Sequence, residues 1–448
     1  MSSTAPLRDP DVRSPHLMAR RARWLVVLNL LIPGSAQVLA GDRRLGRFGL
    51  RATFFSWFVV VVLVVLALVR PAWLVGVFSN PIALGAAVLL LVFYAVLWVV
   101  LTLDTLRLVR FVRVLPRARG LVAAVAVVGL VLGVGGAGLA ATRAVAGFDV
   151  LGIFAGGQVA EPIDGRYNIL LLGGDAGPDR MGLRPDSISV ASIDAATGAV
   201  TMIGVPRNLE FVPFAPDSPL SGPFPNGYDC GVECLVSYLY TYGEEHPELY
   251  PDAEAAGSNP GIEAMRDAVE SVTGLTLQYY VLIDMQGFVD LIDALGGVDI
   301  TVEQRLPIGG DVTSDGTLVG VQAWVEAGPQ HMDGTTALWY ARSRHSTNDY
   351  DRMARQRVLQ EAILRQFDPA NVLLRFQGIA AAGAQTVSTD IPQPMLGRFT
   401  DLALLAKDQP VTRLELTPPL VETDAPDFDA IRALVAAAVA PVSPTPTP

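Results

Sequence analysis

The sequence predicts an α/β domain, a three-layer α/β/α sandwich with a central mixed sheet, preceded by an all-α transmembrane anchor of three helices. Long apolar stretches fill the first part of the chain, whereas short apolar strands alternate with helical periodicity in the rest. The charge divides at the same point: 16 Arg face 4 Asp through Arg143 (net +12), and 17 basic face 40 acidic residues after it (net -23). This pattern indicates a membrane anchor that carries a water-soluble domain.

Three stretches are long enough to cross a bilayer, namely Ala52–Val69, Ile82–Leu103 and Leu121–Ala141. Arginines crowd before the first stretch and in the 104–119 loop after the second, whereas the loop between the first two holds only Arg70. By the positive-inside rule the amino terminus is cytoplasmic, and three crossings place the chain after about residue 143 outside. We therefore expect a multi-pass membrane protein whose carboxy-terminal domain is extracytoplasmic.

An earlier apolar stretch, Trp24 to Ala40, is broken by Pro33-Gly34-Ser35 and flanked by arginines. We interpret it as a re-entrant or interfacial hairpin, because a further crossing would place four arginines outside. The predicted domains are a cytoplasmic segment with this hairpin (1–51), three transmembrane helices (52–142), a linker (143–163), an extracytoplasmic domain (164–440) and a disordered tail (441–448).

Strand and helix patterns alternate through the extracytoplasmic part, with a Pro- and Gly-rich surface loop at 213–229. The predicted strands are Tyr167–Leu172, Ser187–Asp194, Val200–Val205, Tyr279–Ile283 and Val298–Val302. The predicted helices are Gly261–Val272, Gln286–Leu295, Thr335–Trp339 and Tyr350–Phe367, with weaker helical patterns at 370–383, 393–406 and 427–439.

Charged residues stand at the ends of the first three strands. Asp175 ends the first strand, Asp186 precedes the second, and Arg207 follows the third. If these strands are neighbours, the three side chains meet at one edge of the sheet, where open α/β sheets bind ligands. Two carboxylates beside a phosphate group suit a hard cation, magnesium or manganese. Taken singly, each aspartate is more often a turn or cap residue, and the alternative for Arg207 is a surface ion pair.

Five arginines fall within the sixteen residues from Arg342 to Arg357. A solvated helix face with ion pairs is one interpretation. In the other, Arg342 and Arg344 lie in a β-prone run, and a strand would direct both guanidinium groups to one side, where two planar forks suit a pyrophosphate. Together with the strand-end residues they predict a metal-assisted pyrophosphate site, whose cations neutralise charge as a phosphoanhydride bond splits.

Several short motifs follow one another in a fixed order along the chain. They are Asn168–Asp175 (NILLLGGD), Arg184-x-Asp186-Ser187, Val205-Pro206-Arg207, Asp293–Val298 (DALGGV), His331–Gly334 (HMDG), Tyr340–Arg344 (YARSR), and Asp349 with Arg352 and Arg355-Gln356. In this combination, over roughly residues 167 to 360, the chain resembles the LytR-CpsA-Psr family. The resemblance implies a protein of the bacterial cytoplasmic membrane that faces outward.

The resemblance also implies an α/β/α sandwich that binds a polyprenyl-pyrophosphate-linked glycan and transfers the glycosyl phosphate to a peptidoglycan acceptor, usually the muramyl 6-hydroxyl. Carried over by position, the metal ligands would be Asp175 and Asp186, the pyrophosphate clamp Arg207, Arg342 and Arg344, and the residues that line or support the pocket Arg184, Arg352, Arg355 and Gln356. The chain departs from the family pattern at Gly174, Pro185, Asn208 and Asp351, and we expect Asn208, in place of an aspartate, to weaken the support of Arg207.

Other interpretations remain open for individual residues. Cys230 and Cys234 predict a local disulfide in an oxidising compartment, since a zinc site would need two more ligands. A general-base role for His331 or His345 rests on proximity alone. The strand Tyr279–Ile283 and the helix that follows could wall an apolar cleft for the polyprenyl tail, although ordinary core is the alternative.

Two rival functions fit the same charges. One is a non-catalytic polyprenyl-phosphate-binding or regulatory protein, and the other is a polyprenyl-pyrophosphatase in which water replaces the sugar hydroxyl. Nucleic-acid binding is disfavoured, because the external domain is acidic and offers no basic face.

Overall fold

The computed structural model describes residues 8, 14–154, 156–175, 183–231, 234–368 and 387–440, without the side chains of residues 143, 144, 146–150 and 175. The chain divides into two compact units, Met1–Phe148 and Asp149–Pro448. The predicted helix at 370–383 and the predicted disordered tail lie outside the described residues.

The amino-terminal unit is entirely helical in its described part. Its helices are α1 (Pro15–Leu31), α2 (Ser35–Ala40), α3 (Arg43–Val69), α4 (Pro71–Phe78), α5 (Pro81–Val109) and α6 (Pro116–Ile153). Three stretches are long and apolar enough to cross a membrane, Arg43–Val69, Pro81–Arg113 and Pro116–Thr142. Helix α6 continues to Ile153, so the first part of the predicted 143–163 linker is helical.

The predicted 24–40 hairpin corresponds to α1 and α2, which separate at Pro33-Gly34. Gly34 adopts φ +98, and an added Cβ there would lie 2.6 Å from the backbone nitrogen of Leu50, so only glycine fits this break. Polar side chains join the two helices to α5: Asn29 donates to Thr102 at 3.2 Å, and Gln37 donates to the Leu101 carbonyl at 2.7 Å. The pair is therefore packed as part of the helical unit.

The carboxy-terminal unit contains a six-stranded mixed sheet, as predicted. Its strands are β1 (Arg166–Asp175), β2 (Arg184–Asp194), β3 (Val200–Val205), β4 (Tyr279–Asp284), β9 (Val387–Thr389) and β10 (Thr412–Glu415), in the order β10-β3-β2-β1-β4-β9. Pairs β1–β4 and β3–β10 are parallel, whereas β1–β2, β2–β3 and β4–β9 are antiparallel. The short strands β9 and β10 were not among the predicted elements.

Helices cover both faces of this sheet. The helices of the whole unit, including those of the smaller lobe, are α7 (Leu239–Glu245), α8 (Pro260–Thr273), α9 (Met285–Leu295), α10 (Gly334–Arg342), α11 (Asp349–Arg365), α12 (Met395–Ala406) and α13 (Phe428–Val439). Leu170 and Leu172 of β1 enter the core formed with α8 and α13, while Ile169 enters a second core with α12. The alternation of β1 thus separates two apolar layers, and the three-layer sandwich is confirmed.

A smaller lobe carries α9 to α11 and two antiparallel strand pairs. The pairs are β5 (Val298–Val302) with β8 (Gly328–Met332), and β6 (Leu306–Val312) with β7 (Leu318–Val325). The lobe has its own apolar core, centred on Ile292, Val325 and Tyr340. The hairpin region predicted between Val302 and Gly328 is present as the antiparallel pair of β6 and β7.

The predicted surface loop at 213–229 packs on the main core through Leu220, which is fully buried. A buried carboxylate fixes this loop to α8. Asp267 accepts hydrogen bonds from the Ser218 hydroxyl at 2.5 Å and from the Tyr250 hydroxyl at 2.7 Å. Burial raises the pKa of Asp267, against the lowering effect of the two donors.

Candidate active site

A β-bulge places Asp186 at the rim of the sheet. In the antiparallel ladder of β1 and β2, Gly173 is opposite Ser187 and Gly174 is opposite Pro185, so Asp186 is the extra residue between two registered pairs. Bulges redirect side chains at sheet edges and are common beside active sites. Asp175 is paired with Arg184 at the end of the same ladder, so the backbones of the two predicted metal ligands are neighbours. The Asp175 side chain lies outside the described part of the structure.

Arg207 binds two carboxylates from distant parts of the chain. Its Nη1 donates to Asp186 Oδ1 at 2.6 Å, and its Nε is 3.5 Å from Asp349 Oδ2 at the start of α11. Burial alone would lower the pKa of Arg207, but the two carboxylates outweigh burial and raise it. The predicted meeting of β2 and β3 residues at one edge therefore holds for Asp186 and Arg207.

Arg352 completes the cluster from the first turn of α11. Its Nη2 is 3.1 Å from Asp349 Oδ1 and donates to the Asp186 backbone carbonyl at 3.1 Å, while its side chain is only 6% exposed. Burial lowers the pKa of Arg352, and the charges of Arg207 and Arg344 lower it further, against the attraction of the two aspartates. We call Asp186, Arg207, Asp349 and Arg352 the rim cluster.

The start of α11 is fixed by a capping box. Asn348 accepts from the Asp351 backbone nitrogen at 2.8 Å, and the Asp351 carboxylate accepts from the Asn348 nitrogen at 3.3 Å. Asp351 is one of the departures from the family pattern noted in the sequence. Its local role is to hold the helix terminus that presents Asp349 and Arg352.

Arg342 and Arg344 do not lie on a strand, and that prediction is wrong. Helix α10 extends through Arg342, and Arg344 lies in the loop that follows it. The Asp333 side chain caps this helix by accepting from the Thr336 nitrogen at 2.8 Å, which overrides the β-propensity of Trp339 and Tyr340. Both arginine side chains are exposed, and the Arg342 guanidinium lies 5.1 Å from the centre of the Trp339 ring.

Arg355 and Gln356 bind the backbone of the segment that carries these two arginines. Arg355 donates to the Tyr340 carbonyl at 3.0 Å and also to the Ser343 carbonyl. Gln356 donates to the Ala341 carbonyl at 3.3 Å. Both side chains therefore hold the end of α10 and the loop after it. Of the two predicted roles, lining the pocket or supporting it, these contacts correspond to support.

The other predicted residues have partners outside the rim cluster. Arg184 begins β2 and stacks over the Tyr238 ring at 5.1 Å. Cys230 and Cys234 form a disulfide with their Cα atoms 5.2 Å apart. His331 is on β8 in the smaller lobe, where its Nδ1 is 2.7 Å from Asp299; that hydrogen bond raises the pKa of His331.

The side chains of β4 and α9, which were considered as walls of an apolar cleft, differ in burial. Tyr279, Tyr280 and Ile292 are fully or almost fully buried and belong to the cores. Val281 and Leu291 are half-buried. The alternative of ordinary core therefore holds for the first group, and Val281 of the second group also packs against the core with α12.

The donor chemistry at the rim fits a hard divalent cation. Among the described residues, no group of three His, Cys, Asp or Glu side chains forms a ready metal site. Magnesium needs only one or two carboxylates, because phosphate oxygens and water fill its other positions. Asp186 supplies one carboxylate, and the register places the backbone of Asp175 next to it.

Comparison with protein families gives a match to the LytR_cpsA_psr family over residues 156–423. The chain belongs to this family. The matched region holds β1 to β10 and every member of the rim cluster.

Individual relatives are more distant. The chain is 28% identical over 319 residues to the cell wall biosynthesis protein LcpA of Corynebacterium glutamicum, covering 65% of this chain and 58% of LcpA. It is 23% identical over 239 residues to TagU of Bacillus cereus, a polyisoprenyl-teichoic acid–peptidoglycan teichoic acid transferase, covering 53% of this chain and 63% of TagU. The chain thus spans about three fifths of the length of these relatives.

Solved structures give weaker matches. The crystal structure of B. subtilis TagV aligns with a TM-score of 0.43 and 21% identity, over 61% of this chain and 97% of TagV. TagT bound to LIIa-WTA aligns with a TM-score of 0.41 and 18% identity, over 63% of this chain and 93% of TagT.

Asp349 is the member of the rim cluster that the predicted site set omits. The signal was present, since Asp349 is an acidic residue inside the arginine-rich segment and three positions before Arg352. A second omission is the ion pair of the buried Arg357 with the partly buried Glu415: Arg357 lies in the arginine-rich segment, but nothing local in the sequence points to its partner. Burial lowers the pKa of Arg357 to about 10 and raises the pKa of Glu415.

Proposed function

We propose that the chain is a membrane-anchored phosphotransferase that moves a glycosyl phosphate from a polyprenyl-pyrophosphate carrier to peptidoglycan outside the cytoplasmic membrane. The observation that carries this proposal is the rim cluster, in which two arginines and two carboxylates from β2, β3 and α11 converge on one sheet edge. Arg344 adds its charge to Arg352 at the same place. With Arg344, three planar guanidinium groups stand beside two carboxylates, and planar guanidinium groups suit a diphosphate.

The proposed orientation rests on the arginine distribution, which puts the amino terminus inside and the sheet domain outside. The three apolar helices support a membrane anchor. The names of LcpA and TagU support a cell-wall glycopolymer as the transferred group.

In the proposed reaction the acceptor sugar hydroxyl attacks the phosphorus that bears the glycan. A new oxygen–phosphorus bond forms, the bond from that phosphorus to the bridging oxygen breaks, and polyprenyl phosphate leaves with the electron pair. Arg207, Arg342 and Arg344 would hold the diphosphate oxygens as charge moves to the leaving group. Asp175, from the end of β1, would accept the hydroxyl proton.

A divalent cation held by Asp175 and Asp186 would supply charge neutralisation at the diphosphate. Arg207 already contacts Asp186 and would fix that carboxylate at the rim. The chain's own part is therefore to position the diphosphate between fixed guanidinium groups.

The test uses the full chain in lipid nanodiscs with a short polyprenyl-pyrophosphate glycan and a peptidoglycan acceptor, and it measures release of polyprenyl phosphate. We expect Arg207→Ala and Arg342→Ala to lose about 100-fold or more of the rate. Arg305→Ala is the matched control, because Arg305 is an exposed arginine stacked on Trp324 in the smaller lobe. Unimpaired transfer by both site variants would refute the assignment.

The same assay separates the two rivals. Release of polyprenyl phosphate without a phosphodiester on the acceptor would indicate a pyrophosphatase. Tight binding of the carrier without turnover, and without an effect of a chelator, would indicate a binding or regulatory protein.

A further inference from the structure

Phe211 combines two unusual features close to the rim cluster. Its backbone has φ +55, in the left-handed region that bulky L-residues rarely adopt, and its side chain is 41% exposed. The surrounding structure must hold such a conformation in place, and outliers of this kind cluster at ligand-binding positions. A large apolar ring is thus held in solvent at a conformational cost.

Neighbouring contacts fix the Phe211 backbone on both sides. Leu209 and Val212 are fully buried in the main core. The Leu209 carbonyl accepts from the Val236 nitrogen at 3.0 Å, and the Val212 carbonyl accepts from the Tyr228 nitrogen at 2.8 Å. With the residues before and after it anchored inward, the ring of Phe211 is left outside.

The same segment connects to the rim cluster through Thr423. The Glu210 nitrogen donates to the Thr423 carbonyl at 3.0 Å, and the Asn208 side chain donates to the Thr423 hydroxyl at 3.2 Å. The Tyr350 hydroxyl is 3.4 Å from that same hydroxyl. Tyr350 directly follows Asp349, the partner of Arg207, so these amide and hydroxyl groups connect the segment of Phe211 to the rim cluster.

An exposed aromatic ring beside neutral hydrogen-bonding groups matches the chemistry of a sugar. A pyranose ring has a face of C–H groups that packs on an aromatic surface, and hydroxyls that need donors and acceptors at its edge. Ligand sites commonly combine aromatic walls with a few placed polar groups. A phosphate would gain nothing from Phe211, and a lipid tail would leave Asn208 and Thr423 unused.

We propose that Phe211, with Asn208, Tyr350 and Thr423 beside it, forms a binding subsite for a pyranose ring of the glycan substrate. The position of the subsite relative to the chemistry rests on the proposed function, but sugar binding itself does not. The pyranose belongs either to the acceptor glycan or to the transferred glycan, and the two are separated by separate probes.

The experiment measures binding of two probes to the full chain in nanodiscs by calorimetry. One probe is a peptidoglycan disaccharide-peptide, and the other is the short polyprenyl-pyrophosphate glycan compared with the same carrier lacking sugar. Phe211→Ala and Phe211→Gly should weaken one probe about three- to tenfold, and Phe211→Tyr should bind like the original chain. Leu405→Ala, which shortens a 48% exposed side chain on α12, is the matched control and should change neither affinity.

The glycine variant excludes misfolding as the cause. Glycine tolerates a positive φ, so Phe211→Gly should keep or raise the thermal midpoint while it loses sugar affinity. The subsite is refuted if Phe211→Gly and Phe211→Ala bind both probes as tightly as the original chain. Failure of the original chain to transfer glycan, with sugar binding still dependent on Phe211, would overturn the proposed function and leave this subsite standing.

Discussion

Replacing Asp349 by asparagine should lower stability and strengthen anion binding at the same time. Asp349 is the carboxylate shared by Arg207, at 3.5 Å, and Arg352, at 3.1 Å. Asparagine has nearly the same shape but no charge, so the variant leaves the 6% exposed Arg352 side chain beside other guanidinium groups with less compensation.

The magnitude follows from the burial of the pair. Removing one partner of a fully buried ion pair costs about 3–5 kcal/mol, whereas an exposed pair is worth about 0–1 kcal/mol. Asp349 is 28% exposed, and Arg352 keeps its bond to the Asp186 carbonyl, so we expect a loss of about 2 kcal/mol. For a unit that extends from Asp149 to Pro448, that corresponds to a fall of about 3 °C in the thermal midpoint.

The assay is a double-mutant cycle on the full chain in nanodiscs, followed by thermal unfolding. Arg352→Met removes the uncompensated charge, so the double variant should be more stable than the two single losses predict, with a coupling of about 1 kcal/mol. Inorganic pyrophosphate should bind Asp349→Asn more tightly than the original chain, because the cluster gains net positive charge. Asp401→Asn, an exposed aspartate on α12, is the control.

Two results would refute this reasoning. The first is single variants whose effects add within about 0.5 kcal/mol, since the charges would then not interact. The second is weaker pyrophosphate binding by Asp349→Asn, which would mean that Asp349 contributes to the anion site instead of balancing it.

Three further changes test the fold around the site. Asp267→Asn should keep both hydrogen bonds and flatten the pH dependence of stability. Because the pKa of Asp267 is raised in the folded state, its contribution to stability is full below the unfolded pKa and is lost as pH rises through the folded pKa. Melting curves between pH 4 and 7 should therefore show a smaller decline of the thermal midpoint in the variant than in the original chain. Gly204→Ala should cost about 1–3 kcal/mol in urea unfolding, because a Cβ there would lie 2.0 Å from the Glu415 carboxylate; no change would show that the carboxylate moves freely. Replacing Cys230 and Cys234 by serine should lower the free energy of unfolding by about 2 kcal/mol. Thermal melting with and without a reductant checks this, because the reductant should lower the thermal midpoint of the original chain and leave that of the variant unchanged.

The main layers and the rim position of the charges could be predicted because each depends on local pattern. The strands β1 to β3 are apolar runs bounded by glycine, proline or charge, so their ends, and with them Asp186 and Arg207, are readable from the sequence. Pairing of neighbouring strands then brings those ends together.

Features decided by tertiary contacts could not be predicted. The β-propensity of Trp339 and Tyr340 favoured a strand, but burial of Tyr340 in the smaller lobe and the Asp333 cap select a helix. The pairing of Arg357 with Glu415 joins α11 to an edge strand too short to recognise. The bulge at Asp186 depends on register, which no local motif specifies.

The extra residue near the start of β2, Asp186, allows the edge of the sheet to change without a change in its core. Side chains alternate along a strand in steps of two, so gaining or losing one residue at the Asp186 bulge would exchange which groups face the proposed diphosphate site without moving Ile188 and Val190 out of the interior. Reactivity at this edge can therefore diverge by single-codon insertions or deletions while the sandwich persists. Relatives that share the architecture but have lost or altered transfer are expected to differ in length at this position.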